Sequence, residues 1–261
     1  SVIISQTGGG CRATNYIAFI RKALADAGFG HVPVISFSLG LEKNPGFKFT
    51  PSLVKKLVVA VLFGDLLLRL VDHTSPYERM KGATNQLYQK WNERIKEFLV
   101  RPTFKGYSRL AKQMVEDFDK LPRLNLTKPK VGLVGEILVK YHPDAHNYIV
   151  ALVEAEGAEA VMPDLLDFFL YGIKNSEVRT TELFTNRMGK LVSRFLIRII
   201  EACRQPIVKA LEESQHFTPP VSIHKIAAGA EQVLSLCNQT GEGWFLTGEM
   251  IHLLESGVDN I

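Results

Sequence analysis

Apolar residues change their spacing twice within the first fifty positions. A short apolar run occupies 2–4, apolar side chains recur at helical intervals over 14–28, and a second short run occupies 32–37. Thr14 or Asn15 can cap the helix, and Gly28 lies just beyond it. A strand, a helix and a strand in this order predict a β-α-β unit with parallel strands and a right-handed crossover.

The spacing of apolar residues from 51 to about 125 predicts helix almost throughout. An apolar helix runs to 71, an amphipathic helix that carries Trp91 follows from 76, and a third helix covers 107–121. We expect this segment, 51–125, to be a helical insertion or cap. It would separate a first β-α-β part, residues 1–50, from a second α/β part with its own helical block, residues 126–261.

A second β-α-β unit is predicted after the insertion. Its strands cover 130–134 and 159–162, with a loop at 141–144 and a helix over 145–157 between them. Further helices are predicted near 165–171, 182–214, 222–230 and 243–254. The predicted fold class is therefore α/β and helix-rich, with a Rossmann-like parallel sheet of β-α-β units and a large helical insertion.

Both ends of the sequence have a pattern that is typical of the interior of a longer chain. The first residues are already strand-like with no initiator Met before them, and 257–261 have the pattern of a turn entering another strand. We therefore expect the chain to be a truncated piece of a longer protein.

Charge and cysteine content narrow the function classes. The 31 basic and 27 acidic residues give a net charge of +4 that is spread along the chain, which does not favour nucleic-acid binding. The longest apolar stretch, 53–70, contains charged residues and is too polar to span a membrane. Three widely spaced cysteines form no disulfide or zinc pattern, so a reducing cytoplasm is predicted. The amphipathic helices offer enough apolar surface for a homodimer.

A glycine run followed by a cysteine is the strongest candidate for chemistry. Gly8, Gly9 and Gly10 precede Cys11 and Arg12 where a strand gives way to a helix. Backbone amides at a helix start and a neighbouring arginine favour the thiolate, which binds iron or zinc or attacks an electrophile. The alternatives are a glycine turn with a small buried cysteine, or thiol catalysis by Cys11.

A second strand-to-loop junction also carries glycines. Gly132, Gly135 and Glu136 could present free amides to a phosphate or a thioester carbonyl, although the phosphate-loop lysine and the GxGxxG pattern are missing. The alternative is a structural turn with a capped helix. Glu136, His142 and Asp144 could serve acid/base or metal roles, against the alternative of an exposed loop.

The remaining candidates favour structural roles. Trp244 and Phe245 follow Gly243 and are expected to pack on the sheet more readily than to line a pocket. Glu242 and Glu249 are seven residues apart, which predicts one solvated helical face. Neither of the other two cysteines is expected to be a ligand, and three histidines are expected at the surface or beside helices: Cys203, Cys237, His73, His216 and His252.

Several separated segments resemble one protein family in the same order. They cover 6–16, 40–46, 135–143, 156–160 and 241–249, the last reading Gly-Glu-Gly-Trp-Phe-Leu-Thr-Gly-Glu. In this respect the chain resembles the 2-hydroxyacyl-CoA dehydratase superfamily from end to end. The closest likeness is to the dehydratase-like region of the long CoA-substrate-specific enzyme activases, which include activators of 2-hydroxyglutaryl-CoA dehydratase.

The resemblance implies ATP-driven transfer of one low-potential electron to an iron–sulfur reductase or a 2-hydroxyacyl-CoA dehydratase. Cys11 would be a metal ligand of an iron–sulfur cluster, and the cofactor-binding residues would be Gly9, Gly10, Cys11, Gly135 and Glu136. The other cluster ligands, the ATP site and the partner ATPase and dehydratase-like domains would lie outside this chain, which would be inactive alone. Acyl-CoA or another small reducible molecule would be the substrate. The alternative is a non-catalytic docking or assembly domain for an ATPase partner, with 51–121 as its interface.

Overall fold

The computed structural model describes residues 1–5, 12–37, 50–182 and 187–261. Within these residues the chain forms four short strands, β1 Val2–Ser5, β2 Val34–Phe37, β3 Lys130–Gly132 and β4 Glu159–Val161. Its helices are α1 Tyr16–Asp26, α2 Pro51–Asp72, α3 Ala83–Val100, α4 Phe104–Asp119, α5 Ile137–Tyr141, α6 Ile149–Ala155, α7 Leu165–Glu182, α8 Arg187–Glu212, α9 Ile223–Glu231 and α10 Gly243–Glu255. The architecture is helix-rich α/β.

The strands pair in parallel, as the β-α-β patterns predict. In the first unit Val2 lies opposite Val34, and α1 connects the two strands. In the second unit Lys130 lies opposite Glu159, with α5 and α6 between them. In the described part of the chain each sheet has two strands, so the single large parallel sheet that the sequence predicts is not shown.

The last residues extend the second sheet on its other side. Asn260 forms a parallel bridge with Val131, and its carbonyl oxygen accepts a hydrogen bond from the Gly132 amide at 2.7 Å. The strand pattern predicted at 257–261 therefore has its counterpart in a backbone contact with β3.

The predicted helical block forms three helices that share a core with the later helices. Thr50 and Thr103 cap α2 and α4 by accepting hydrogen bonds from the Leu53 and Gly106 amides, each at 3.2 Å. Trp91 of α3 and Trp244 of α10 belong to the same fully buried cluster. Residues 51–125 are thus packed into the core that α7 to α10 also build.

The segment after β3 differs from its prediction. A short helix, α5, forms where a loop was expected, and the next helix begins at Ile149 rather than near residue 145. Asn147 and Tyr148 have φ values of +53° and +55°, and this left-handed conformation prevents the helix from starting earlier.

None of the helices in the described residues has both the length and the apolar character required to cross a membrane.

Candidate functional site

Of the five predicted cofactor-binding residues, two lie in the described part of the chain. Gly9, Gly10 and Cys11 lie outside it. Gly135 follows β3 with a φ of +156°, and nothing would contact a Cβ there, so its backbone conformation rather than close packing favours glycine. Glu136 then caps α5, because its Oε2 accepts hydrogen bonds from the Leu138 and Val139 amides, both at 3.1 Å.

The acid/base group proposed around this loop is not assembled. His142 and Asp144 are both exposed, and Asp144 Oδ1 accepts a hydrogen bond from the Tyr148 hydroxyl at 2.5 Å. Glu136 is half-buried, and its Oε1 is buried without a hydrogen-bond partner. Glu136 alone of the three therefore points to a site in the interior.

The expectation that Glu242 and Glu249 are solvated is wrong. Their exposed fractions are 5% and 1%. Glu242 has a φ of +61° immediately before α10, so it does not continue the helical face on which Glu249 lies. The backbone turn at 241–242 directs the first glutamate inward, and helix packing buries the second.

Glu249 forms a buried ion pair with Lys140 of α5. The Lys140 Nζ lies 2.8 Å from Oε1 and 3.1 Å from Oε2, and both side chains are at most 2% exposed. Burial raises the pKa of Glu249 to about 7, although the Lys140 charge opposes that change. Lys140 Nζ also lies 5.3 Å from the centre of the Tyr141 ring and 5.8 Å from that of Phe245.

A second carboxyl pair lies beside this ion pair. Burial raises the pKa of Glu242, and the charge of Glu136 raises it further, while Lys140 lowers it. Glu242, like Glu136, has a buried Oε1 without a hydrogen-bond partner. Burial and the Glu136 charge thus both favour the protonated form of Glu242.

Two arginines and two aspartates form a connected charge network below α7. Asp164 forms ion pairs with both arginines. Arg69 Nη2 lies 2.6 Å from its Oδ1, and Arg204 Nη2 lies 3.2 Å from its Oδ2. Arg204 also reaches Asp167 Oδ1 at 2.6 Å. Burial alone would raise the pKa of Asp164, but Arg69 and Arg204 hold it below its usual value. Asp167 has one arginine partner, and burial raises its pKa to about 6.

Asp65 joins this network to the start of α7. Its two carboxylate oxygens accept hydrogen bonds from the Leu165 and Leu166 amides at 2.9 and 2.8 Å. Burial and the nearby Asp164 charge nevertheless raise its pKa well above the ordinary value.

A cleft of about 310 Å³ opens onto this network. Asp164, Asp167 and Glu249 line it together with Arg69 and His252. Two of these carboxyl groups have pKa values raised to about 6 and about 7, the range in which a general acid or base works at neutral pH. The cleft can therefore exchange protons with a bound polar molecule.

The three histidines expected at the surface or beside helices are exposed or half-buried. His216 is exposed. His73 flanks α2 and is half-buried, and burial with the nearby Arg69 charge lowers its pKa to about 3. Its Nδ1 lies 3.3 Å from Glu159 Oε1 without hydrogen-bond geometry, and a neutral imidazole makes no ion pair there. Half-buried His252 has a pKa lowered by burial and by Lys225.

The two described cysteines do not fit a cluster site. Cys203 is half-buried on α8 and packs against the hydrophobic core, and Cys237 is exposed. Among the described residues, no group of three or more histidine, cysteine, aspartate or glutamate side chains could hold a metal ion.

Sequence reasoning missed the aspartate–arginine network. Asp65 and Arg69 interrupt the apolar stretch 53–70, and that interruption was used only to argue against a membrane span. A charged residue within an apolar helical face is a signal for a buried ion pair. The sequence alone does not identify the partner of Arg69, because Asp164 lies 95 positions away from it.

Comparison with known proteins identifies no related protein. No protein-family model, no curated protein and no solved structure matches this chain. Any assignment of function therefore rests on the residues of the site and on the motif resemblance.

Proposed function

We propose that this chain is the dehydratase-like α/β domain of an activase-type protein in a reducing cytoplasm. It would take part in ATP-driven, low-potential electron transfer to an iron–sulfur reductase or a 2-hydroxyacyl-CoA dehydratase. Within that protein it contributes part of a cluster or substrate site, for acyl-CoA or another small reducible molecule. ATP binds to domains outside this chain, and the chain alone is inactive.

The meeting of two motif segments is the observation that carries this proposal. Lys140 belongs to the segment 135–143, and Glu249 ends the segment 241–249. The two residues are 109 positions apart and form a buried ion pair at 2.8 Å. Glu136 and Glu242 come from the same two segments, and the charge of Glu136 adds to burial in raising the pKa of Glu242. Residues that carry the resemblance thus converge on one interior site.

The chemistry of this site suits proton handling. The raised pKa of Glu242 favours the protonated acid, which can donate a proton to a leaving hydroxyl or to a reduced product. Lys140 is engaged by Glu249 and tunes the neighbouring carboxyl pair electrostatically. We therefore assign Glu242 as the proton donor and Glu136 as the group that raises its pKa.

A Rossmann-like arrangement would place the two glycine segments at one edge. The segment with Gly9, Gly10 and Cys11 follows β1, and Gly135 and Glu136 follow β3. Carboxyl ends of parallel strands in one sheet lie at the same edge, where α/β proteins bind ligands. The proposal accordingly assigns Cys11 as the only cluster ligand from this chain, because Cys203 and Cys237 do not fit.

The decisive measurement is the iron and acid-labile sulfide content of the longer protein purified without oxygen. We expect Cys11→Ala to lose iron that the unaltered protein holds. Cys237→Ala is the matched control, because that thiol is exposed and lies outside the motif segments, and this variant should retain its iron. Equal iron in the Cys11→Ala and unaltered proteins, or iron in neither, would overturn the proposal.

A docking role is the second candidate, and α8 rather than 51–121 offers the surface for it. Six large apolar side chains follow one another at helical spacing and are exposed by 41–64%: Met188, Leu191, Val192, Phe195, Leu196 and Ile199. Arg198 is exposed along one side of this row, next to Arg194, which is exposed but already pairs with Glu177 at 2.7 Å. The occupant that fits is an ATPase partner domain with an apolar surface bordered by acidic side chains.

Binding of the separately purified ATPase domains tests the docking role. Phe195→Glu should abolish binding because it places a charge in the centre of the row. Met80→Glu is the control, since Met80 is 67% exposed in the segment 51–121. Loss of binding in Met80→Glu alone would move the interface to that segment. Dimerisation of the chain through α8 would make a second copy the occupant and reject the ATPase assignment.

A further inference from the structure

A cavity that the proposed function does not use lies between α2, the start of α3 and the segment 141–151. Its volume is about 430 Å³, within the range of small-molecule sites. Aromatic and apolar side chains form much of its wall, among them Tyr88, Tyr141, Tyr148, Leu68, Val71 and Met162.

Asp72, the last residue of α2, lines this cavity and is 8% exposed. Among the described residues, its carboxylate has neither a hydrogen-bond donor nor an ion-pair partner, and only longer-range charges act on it. Arg69, on the same helix, is paired with Asp164 at 2.6 Å. A buried carboxylate without a partner is costly, so its retention at a cavity wall indicates a ligand of opposite charge.

Glu154 of α6 supplies a second carboxyl group at the same wall. Its Oε2 accepts a hydrogen bond from the Ser75 hydroxyl at 3.1 Å. Burial raises the pKa of Glu154, and the charge of Glu154 in turn raises that of Asp72. A third carboxylate at this wall, Glu78, is already engaged by the Gly82 and Thr84 amides at 2.6 and 3.0 Å. Two carboxyl groups thus face the cavity with capacity for a cation.

We propose that this cavity binds an organic ammonium ion, with the ammonium group between Asp72 and Glu154 and the apolar part against the tyrosine-lined wall. Aromatic faces attract cations, and the apolar surfaces of Leu68, Val71 and Met162 accept a hydrocarbon group. The ammonium group carries up to three donors, which matches two carboxylates and the Ser75 hydroxyl.

A bare metal ion fits this cavity poorly. Calcium and magnesium take six or more oxygen ligands, and the wall is largely apolar. No three potential ligands in the described residues are grouped for a metal. The surroundings therefore favour a cation with a hydrocarbon part.

Binding is coupled to loss of a proton from Asp72. Burial and the Glu154 charge raise its pKa to about 7, so an ammonium ion competes with a proton for the carboxylate. The other groups that act on Asp72 or line the cavity are Arg69, Glu159, Glu78, Tyr88, Tyr141, Tyr148 and His146. Affinity should rise as pH rises through 7.

Calorimetric titration of the chain with phenethylammonium chloride at pH 8 tests the proposal, and 2-phenylethanol is the neutral probe of the same shape. We expect saturable binding of the ammonium ion and none of the alcohol at the same concentration. Asp72→Asn should weaken binding at least about tenfold, the effect of losing one charged contact. Glu156→Gln, which alters an exposed carboxylate nearby, should leave affinity unchanged.

Three results would overturn the inference. They are equal binding of alcohol and ammonium ion, unchanged affinity in Asp72→Asn, and an affinity that does not fall at pH 5.5. Tyr88→Leu is the second variant, which removes an aromatic face but keeps both carboxyl groups. It should weaken ammonium binding while leaving the pH dependence in place.

Discussion

Two carboxyl groups of the interior, those of Asp72 and Glu249, have the same raised pKa, about 7, although their partners differ. Glu249 has an ion-pair partner 2.8 Å away, and Asp72 has none. Burial is the largest influence on both, so for Glu249 it outweighs the attraction of Lys140. Substitutions at the two sites should therefore have different effects on stability, because only Glu249 has an ion-pair partner.

Breaking the Lys140–Glu249 pair should be strongly destabilising. Lys140→Met leaves a buried carboxylate without its cation, and we expect a loss of about 3–5 kcal/mol in the free energy of unfolding at pH 8. Replacing both residues, Lys140→Met with Glu249→Leu, should recover part of that loss. Urea denaturation of the unaltered protein, Lys140→Met, Glu249→Leu and the double variant measures the coupling energy.

The exposed pair Lys112–Glu213 is the matched control for that experiment. Its nitrogen–oxygen distance is 2.7 Å, but its side chains are 55% and 63% exposed. Lys112→Met should change stability far less than Lys140→Met, because solvent screens the exposed pair. Comparable losses at the two sites would contradict the importance given to burial.

Asp72→Asn should stabilise the protein. The folded-state pKa of Asp72 is raised above its unfolded value, so ionisation disfavours folding and the cost grows as pH rises from about 4 to 7. Removing the charge should increase the free energy of unfolding at pH 8 by up to about 4 kcal/mol, because one pKa unit corresponds to about 1.4 kcal/mol.

The gain in Asp72→Asn should be smaller at pH 5 than at pH 8, because the cost of burying this carboxyl group grows only between about pH 4 and pH 7. Denaturant unfolding at the two pH values checks this difference, with Glu156→Gln as the exposed control. A gain that is equal at pH 5 and pH 8 would show that charge is not its origin.

At the scale of elements, the crossing of α9 and α10 depends on Gly248. A Cβ there would collide with the Ile226 carbonyl oxygen and lie 2.7 Å from Ile226 Cγ2. Gly248→Ala should therefore force the two helices apart and cost about 1–3 kcal/mol. A thermal or urea unfolding curve measures that cost.

Gly172 within α7 provides the opposite case. Nothing lies within 4 Å of a Cβ at this position. Gly172→Ala should stabilise the protein by about 0.5–1 kcal/mol, because alanine favours helix. The two substitutions should differ in sign, and the same sign in both would contradict the close approach of α9 and α10.

Sequence periodicity predicts most elements because each element's pattern is local. The strands predicted at 32–37 and 130–134 appear in the fold with shortened ends, and the helices predicted from 51 to 121 appear with shifted ends. Helix α5 has five residues, which is too short for a helical period to be recognised. The late start of α6 depends on left-handed residues that periodicity does not reveal.

The candidate site was less predictable than the fold. Glu136 was identified from a glycine junction, but the burial of Glu242 and Glu249 was not, because seven-residue spacing is also typical of a solvated face. Ion pairs such as Lys140–Glu249 join positions 109 residues apart. Their assembly depends on helix packing, which one sequence does not specify residue by residue.

For the whole molecule, buried titratable groups set the pH dependence of stability. Asp72, Glu249 and Asp167 have pKa values raised to about 7, 7 and 6, so they favour the folded state less as pH rises from about 4 to 7. The pKa of His73, lowered to about 3, acts in the opposite direction below 6.5.

Carboxyl groups with raised pKa values outnumber histidines with lowered ones, so the free energy of unfolding should fall between pH 5 and pH 7.5. Urea midpoints at half-unit intervals measure this profile. Asp72→Asn should reduce its slope. A midpoint that rises across this interval would contradict the assignment of these groups.

Arg204 has a consequence for how the molecule opens. It contacts Asp164 and Asp167 and donates to the Val221 carbonyl at 3.3 Å, while Arg69 donates to the Thr218 carbonyl at 3.4 Å. If α2, α7, α8 or the segment 218–221 detached alone, a charge would be left unpaired in the interior. These parts of the chain should therefore open together as a cooperative unit. Amide hydrogens in the middle of α2, α7 and α8 should then exchange with deuterium at one common, slow rate.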